Sequence, residues 1–208
     1  MKINRIVKKG AKDVIIHFED DEILILALEV FLKSGLKKND ELSDDRFSFF
    51  VTENRLFHIK QRAFRYLGRR LHSASELRTK LRQKSYEIEM IEQVISELRD
   101  KNYLDDSEFA SVFVAEKLRS KMWSEKKLKS ELIKRGIKSS IITEVLSKKC
   151  SEEDDYNTAL TVALKKYKIL QERNSDLQTT KKKLISFLNT RGYNYETIKQ
   201  VCDKVIAD

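Results

Sequence analysis

Three stretches of the chain carry one apolar pattern: "SASELRTKLRQKSYEIEMIEQV" from Ser73, "SEKKLKSELIKRGIKSSIITEV" from Ser124 and "TKKKLISFLNTRGYNYETIKQV" from Thr180. Each opens on a hydroxyl residue suited to capping a helix, then places a leucine four positions on (Leu77, Leu128, Leu184) and another four later (Leu81, Leu132, Leu188). That spacing lays one apolar stripe along a helix of about three turns. The turns Lys84-Ser85, Arg135-Gly136 and Arg191-Gly192 end it, with Gly136 and Gly192 as C-terminal caps. A second helix follows in each, marked by Ile91 and Val94, Ile142 and Val145, or Ile198 and Val201. Upstream, Ala63 to Leu71, Phe109 to Leu118 and Ala159 to Leu170 show the same three- and four-residue spacing, so each repeat is expected to be a three-helix module. The leucines recur at offsets of 51 and 56 residues, and a module of that size buries too little by itself, so neighbours should share faces.

The front end follows a different period. Val14 to Phe18 and Ile23 to Leu26 read as short strands, with turns at Gly10 and Glu19-Asp20-Asp21, which predicts a two- or three-stranded meander. A short helix over Leu28 to Lys33, the polar connection "LKKNDELSDD" and a long helix from Ser43 to about Leu71 complete it. The expected fold is mostly α: an elongated tandem array of three three-helix modules preceded by a small N-terminal β-containing cap. The boundaries are 1–42 for the cap and 43–103, 104–150 and 151–208 for the modules.

Composition supports the helices, since the 208 residues include no proline and five glycines, with 36% charged and 40% hydrophobic. No run approaches the ~18 apolar residues of a membrane span, and the N-terminus lacks the apolar stretch of a signal peptide, so a cytoplasmic protein is expected. Cys150 and Cys202 are far apart and outside any CxxC pair, which suits reduced packing residues. The net charge of +9 is uneven: residues 1–58 hold 10 basic and 11 acidic residues, leaving the surplus to the later chain. There, Lys60 to Lys84 has nine basic residues against one acid, and Glu87 to Glu108 has eight acids against two basic residues.

The densest carboxylate group, Asp105, Asp106 and Glu108 beside Tyr103, precedes an apolar-periodic helix. Asp105 as N-cap and Glu108 three residues later form a variant capping box, and their charge suits the positive end of the helix, which explains the spacing without chemistry. His17, His58 and His72 are scattered, with no metal-ligand spacing. Nor does the chain contain a GxxxxGK[ST] loop, a GxGxxG turn, a GxSxG elbow or a Cys-His arrangement. No catalytic residue, cofactor or metal is expected, and an enzyme is the least favoured class.

The cations are the remaining candidates. With Leu77 and Leu81 facing inward, Arg78 and Arg82 project elsewhere, near a crowd of Arg65, Arg69 and Arg70 on the preceding helix. The second module repeats the theme with Lys121, Lys126, Lys127 and Lys129, and the third with Lys181, Lys182 and Lys183. These three ridges suit an extended polyanion, nucleic acid above all. The competing reading is a solvated helical face, and Lys84, Arg135 and Arg191 are placed to complement helix macrodipoles. Trp123, just before the Ser124 cap, reads as a hydrophobic staple onto Leu128 or its neighbours rather than a base-stacking platform. Tyr86, Ile137 and Tyr193 hold equivalent turns and are expected in the core.

From about Ala63 to Val205 the chain resembles the RecX family of bacterial recombination regulators. The resemblance rests on the order and spacing of "SASELRTKL", "NYLDDSEFA" with "VFVAEKL", "SKMWSEKKLKSELIKRGI" and "KKKLISFLNTRGYNYETI". It implies an elongated all-helical modular protein that binds the RecA recombinase, lies in the groove of its nucleoprotein filament and restrains ATP hydrolysis and strand exchange in DNA recombination and repair. Met122-Trp123-Ser124-Glu125 departs from the glycine-rich Gly-Pro turn of many members, although Ser124 still suits a cap. The implied partners are the RecA filament and DNA, single-stranded within the filament or free, with the chain acting as a monomer. The basic ridges would approach phosphates, and the acidic blocks Glu87 to Glu108 and Glu152 to Asp155 would meet basic protein surface. A stand-alone helical nucleic-acid-binding protein is the alternative, which the ridges alone would serve.

Overall fold

The computed structural model describes residues 1–150, 152–172 and 176–207, those at 152–154 and 207 by backbone alone. Of the acidic block at Glu152 to Asp155, only the Asp155 side chain is therefore among the described ones. The chain divides into two compact units, Met1–Arg70 with Leu77–Tyr103, and Leu71–Glu76 with the chain from Leu104 onward. No helix among the described residues is long and apolar enough to cross a membrane.

The first unit begins with an antiparallel meander of β1 (Ile3–Lys9), β2 (Asp13–Phe18) and β3 (Ile23–Ala27), in the order β1-β2-β3. Alternation fixes its buried face, with Val14, Ile16 and Phe18 of β2 and Leu24 and Leu26 of β3 turned inward. The sequence pattern singles out only β2 and β3; β1 is an edge strand that fully buries Ile3 alone, half-buries Ile6 and leaves its other residues exposed, so its apolar positions do not alternate. The connection after α1 (Leu28–Ser34) is not merely polar, because Asn39 to Leu42 hydrogen-bonds along β1, with Ile3 N donating to the Asp40 carbonyl at 2.9 Å. Helix α2 (Asp44–Leu67) is capped by Ser43 and covers the sheet through Phe47 and Phe50. Asn54 clamps it to β3, accepting from Ala27 N at 2.8 Å and donating to the Ile25 carbonyl at 3.0 Å.

The long helix ends at Leu67 rather than Leu71: Gly68 is its C-cap, and Arg69 and Arg70 lie in the turn beyond. Its second half buries Leu56, Ile59 and Ala63 and packs on α4 (Ile88–Asp100), which buries Ile91, Val94, Ile95 and Leu98. Leu77 and Leu81 of α3 (Ala74–Arg82) are fully buried, as their spacing requires. Tyr86 is only half-buried, unlike its counterparts Ile137 and Tyr193.

The second unit holds two further three-helix modules: α5 (Asp106–Lys121), α6 (Glu125–Lys134) and α7 (Ser139–Lys149), then α8 (Glu152–Gln171), α9 (Leu177–Thr190) and α10 (Tyr195–Ala207). Their cores repeat, Phe109, Val114, Leu128, Leu132, Ile142 and Val145 in one and Ala159, Ala163, Leu184, Leu188, Ile198 and Val201 in the other. Trp123 packs against the first of these, its ring 6.2 Å from that of Phe113. Thr180 is buried but is not a cap. Helix α9 starts a turn earlier, where Asp176 accepts from Thr179 N at 2.8 Å. Among the cysteines, Cys202 is buried and Cys150 half-buried, and neither forms a disulfide.

Candidate partner and nucleic-acid interface

The turns after α6 and α9 are built alike. Gly136 and Gly192 have φ of 70° and 90°, the left-handed region a glycine enters without strain. In the first, Gly136 N donates to Ile133 O at 2.9 Å and Ile137 N to Leu132 O at 3.2 Å; Gly192 and Tyr193 repeat both bonds, to Asn189 and Leu188. This is a Schellman motif, with Ile137 and Tyr193 as the apolar residue that follows it. Ser85 holds the same place after α3 with φ 59°.

These turns rest on the N-termini of earlier helices in the second unit. A Cβ at Gly136 would fall 2.4 Å from the Ser75 Cβ, and one at Gly192 would fall 2.5 Å from the Lys127 Cβ. The buried Ser73 donates its hydroxyl to Arg135 O at 2.7 Å and accepts from Glu76 N at 3.1 Å, so one side chain caps α3 and fastens it to the next repeat. Ser124, equally buried, donates its amide to Arg191 O at 3.0 Å and caps α6 through Lys127 N at 3.3 Å. A carboxylate completes each junction: Asp106 accepts from Ala74 N at 2.8 Å, and Asp155 from Glu125 N at 3.3 Å.

The carboxylate cluster at Asp105 to Glu108 is thereby structural. Asp105 caps α5, accepting from Ser107 N at 2.7 Å and Glu108 N at 3.2 Å, while Asp106 reaches α3. The reciprocal half of the capping box is absent, since Glu108 makes no side-chain hydrogen bond among the described residues. Among the described residues no group of three or more His, Cys, Asp or Glu side chains could hold a metal ion.

The twelve candidate cations fall into different situations. In the first unit Arg65, Arg69, Arg70 and Arg82 are exposed, but Arg78 is half-buried and grips Glu92 with both Nε and Nη2. That grip holds the Glu92 carboxyl below its usual range. In the second unit Lys121, Lys126 and Lys129 are exposed, whereas Lys127 lies half-buried, 5.7 Å from the Trp123 ring and 3.8 Å from Glu131. Lys182 and Lys183 are exposed, and Lys181 pairs with Asp203 at 3.0 Å. Arg65, Arg69, Arg82, Lys121, Lys126, Lys129 and Lys182 have no ion-pair partner among the described residues.

The acidic block over α4 is largely answered inside the first unit. Glu87 meets Arg55 at 2.9 Å, and Glu97 meets Lys60 at 2.5 Å and Lys101 at 2.7 Å, which depresses its pKa through hydrogen bonds from Lys101 and then Lys60. In the second unit Arg135 bonds Glu131 at 2.7 Å and lies 3.6 Å from Glu76. The Arg135 hydrogen bond lowers the Glu131 pKa. Burial pushes the Tyr193 phenol up, and its hydroxyl donates to Met122 O at 2.8 Å. Sequence reasoning missed the pairing roles of Asp106, Asp155, Arg135 and Arg191; the recurrence of arginine before both turn glycines was the available signal.

Three family models, for the first, second and third three-helix domains of RecX, match residues 60–98, 105–146 and 152–202. The chain is similar to the regulatory protein RecX of Clostridium acetobutylicum, 31% identical over 202 residues that cover 97% of this chain and 94% of that one. Its counterpart in Clostridium perfringens is 29% identical over 194 residues, 93% and 90% of the two chains. Among solved structures, one of regulatory protein RecX superposes with a TM-score of 0.72 at 22% identity, covering 97% of this chain and 98% of the other. The RecX structure from Lactobacillus salivarius gives 0.61 at 20% identity, covering 75% and 99%.

Proposed function

Because this chain belongs to the RecX family of regulatory proteins, we propose that it is a non-enzymatic modulator of the RecA recombinase. It lies in the groove of the RecA–DNA filament and restrains ATP hydrolysis and strand exchange, acting as a monomer in the cytoplasm. The observation that carries this reading is the tandem repetition itself. Modules in series offer cations at recurring positions, an arrangement that suits a long periodic ligand better than a single small one. The exposed cations Arg65, Arg69, Arg82, Lys126, Lys129 and Lys182, which have no carboxylate partner among the described residues, are the expected phosphate contacts. Arg70 and Lys183 share that exposure, and Arg78, Lys127 and Lys181 would have to leave Glu92, Glu131 and Asp203 to join them.

Those same cations favour a second reading, direct binding of nucleic acid without the recombinase. Co-sedimentation separates the two. Under the leading reading the chain pellets with RecA filaments on single-stranded DNA far more completely than with the DNA alone. Pelleting that is equal with and without RecA would favour the second reading.

A further inference from the structure

Arg135 and Arg191 hold the same place in successive repeats, as C-caps of α6 and α9, yet their surroundings differ in charge. Arg135 sits between two carboxylates, Glu131 at 2.7 Å and Glu76 at 3.6 Å. In the register of the repeats, Phe187 stands where Glu131 does, and Lys127 stands where Glu76 does. The Arg191 guanidinium lies 3.7 Å from the Phe187 ring centre, as Arg135 lies 4.5 Å from that of Phe113, but without the carboxylates, and the Lys166 ammonium lies 5.4 Å from the Phe187 ring. One aromatic ring is thus shared by two cations. Arg191 Nε donates to the Lys121 carbonyl at 3.0 Å, which fixes the guanidinium at the end of α5.

A cavity of about 330 Å³ opens there, lined by Lys121, Lys165, Lys166 and Arg191 with Met122, Ile169 and Phe187 among its apolar walls. Among the described residues no carboxylate lines it. None of the four cations has an ion-pair partner among the described residues. Asp155, an acid of the same junction, is occupied by the Glu125 amide. Burial lowers the Arg191 pKa, as expected where a cation is partly desolvated without a counter-charge. Four like charges around one cavity repel one another, and a bound anion removes that repulsion. Cations beside apolar walls match a ligand that alternates phosphate with sugar and base.

We infer that this cavity binds the backbone of single-stranded nucleic acid, with Lys165, Lys166 and Arg191 on a phosphate and Met122 and Ile169 against the adjoining sugar or base. The inference rests on the nucleic-acid side of the function proposed above and assigns it a site. Lys165, Lys166 and Arg191 lie outside the three ridges read from sequence.

The test is fluorescence anisotropy of a labelled oligo-dT of about 20 nucleotides, titrated with the full-length chain over a range of salt. Lys165→Ala with Lys166→Ala is expected to weaken binding roughly tenfold and to reduce the slope of log K against log salt by about 0.7, as expected when one single-strand phosphate is no longer neutralised. Lys134→Ala with Lys148→Ala removes equal charge from cations already paired with Glu131 and Glu144, and is expected to change affinity less than about twofold. Lys165→Arg with Lys166→Arg should retain binding, which separates loss of charge from loss of fold. Unlabelled oligo-dT should displace the probe, whereas inorganic phosphate, ATP and poly-glutamate at matched charge should displace it poorly.

The inference is overturned by a wild-type chain that does not bind, by an unchanged slope in the Lys165/Lys166 alanine variant, or by an equal loss in the control pair. Displacement by phosphate, ATP or poly-glutamate as effective as by oligo-dT would also overturn it, assigning the cavity to free phosphates or to an acidic protein. No recombinase is present, so failure here is distinct from failure of the RecA reading, which has its own assay.

Discussion

Asp106, the first residue of α5, accepts a hydrogen bond at 2.8 Å from the amide of Ala74, the first residue of α3, thirty-two positions earlier in the chain. An N-terminal amide of a helix has no partner within its own helix, and here another repeat supplies one. Asp106→Ala should therefore cost about 1–3 kcal/mol, the range for a hydrogen bond to a charged group or an orphaned buried donor. Asp105→Ala should cost about 0.5–2 kcal/mol by uncapping α5. Amide hydrogen exchange tells the two apart: Ala74 should exchange faster only in Asp106→Ala, and Ser107 and Glu108 only in Asp105→Ala. Unaltered exchange at Ala74 would remove Asp106 from the junction.

Gly136 is constrained twice, by its φ of 70° and by Ser75 lying 2.4 Å from where a Cβ would be. Gly136→Ala should destabilise the chain by about 1–2 kcal/mol from left-handed strain and by a further ~1–3 kcal/mol from overpacking. Only the second part should be relieved by Ser75→Gly, so a double-mutant cycle in urea should show a coupling of about 1 kcal/mol or more. Additive effects would mean that the two residues do not meet.

Those junctions mark the boundary of what the sequence disclosed. The leucine stripes, the left-handed turns and the Asp105 cap were legible because period and local chemistry determine them within one helix. Strand β1 was not, since an edge strand that buries only Ile3 has no alternating apolar signal. Thr180 looked like a cap because it aligns with Ser124, but Asp176 starts α9 a turn earlier. Among the ridge residues, nothing local told paired from unpaired cations: Glu92 lies 14 positions from Arg78, and Asp203 lies 22 from Lys181. The contrast between Arg135 and Arg191 needed the packed repeats, because the neutralising Glu76 comes from an earlier helix.

Acid should loosen the second unit through Glu131, which takes hydrogen bonds from Arg135 at 2.7 Å and Lys134 at 3.0 Å. Its folded pKa lies below the ordinary glutamate value, with the Arg135 hydrogen bond as the first cause. The stabilisation is therefore complete above the unfolded pKa of ~4.3 and is lost as pH falls through the folded value. Glu131→Gln should lower stability by about 0.5–1 kcal/mol at pH 7 and lose less than the wild type between about pH 5 and 3. Thermal melts across that range check it, and parallel curves for the two proteins would contradict it.

Arg78 and Arg82 should respond differently to charge reversal. Arg82 is exposed without an ion-pair partner among the described residues, whereas Arg78 holds Glu92. Arg82→Glu should weaken filament binding and flatten its salt dependence by roughly 0.7 for each phosphate left without its cation, while the melting temperature stays unchanged. Arg78→Glu should lower the melting temperature of the free chain, because it sets two carboxylates against each other. Lys126→Glu with Lys129→Glu should behave as Arg82→Glu does. Binding and melting that shift together in all three variants would reduce the ridges to solvated helix faces.

The most direct measurement is the rate of ATP hydrolysis by the cognate RecA on single-stranded DNA, with this chain added well below one molecule per recombinase. A modulator seated along the filament should slow hydrolysis at that ratio, and the charge-reversed Lys126 and Lys129 variant should slow it less. A rate that stays constant up to equimolar addition would contradict the account.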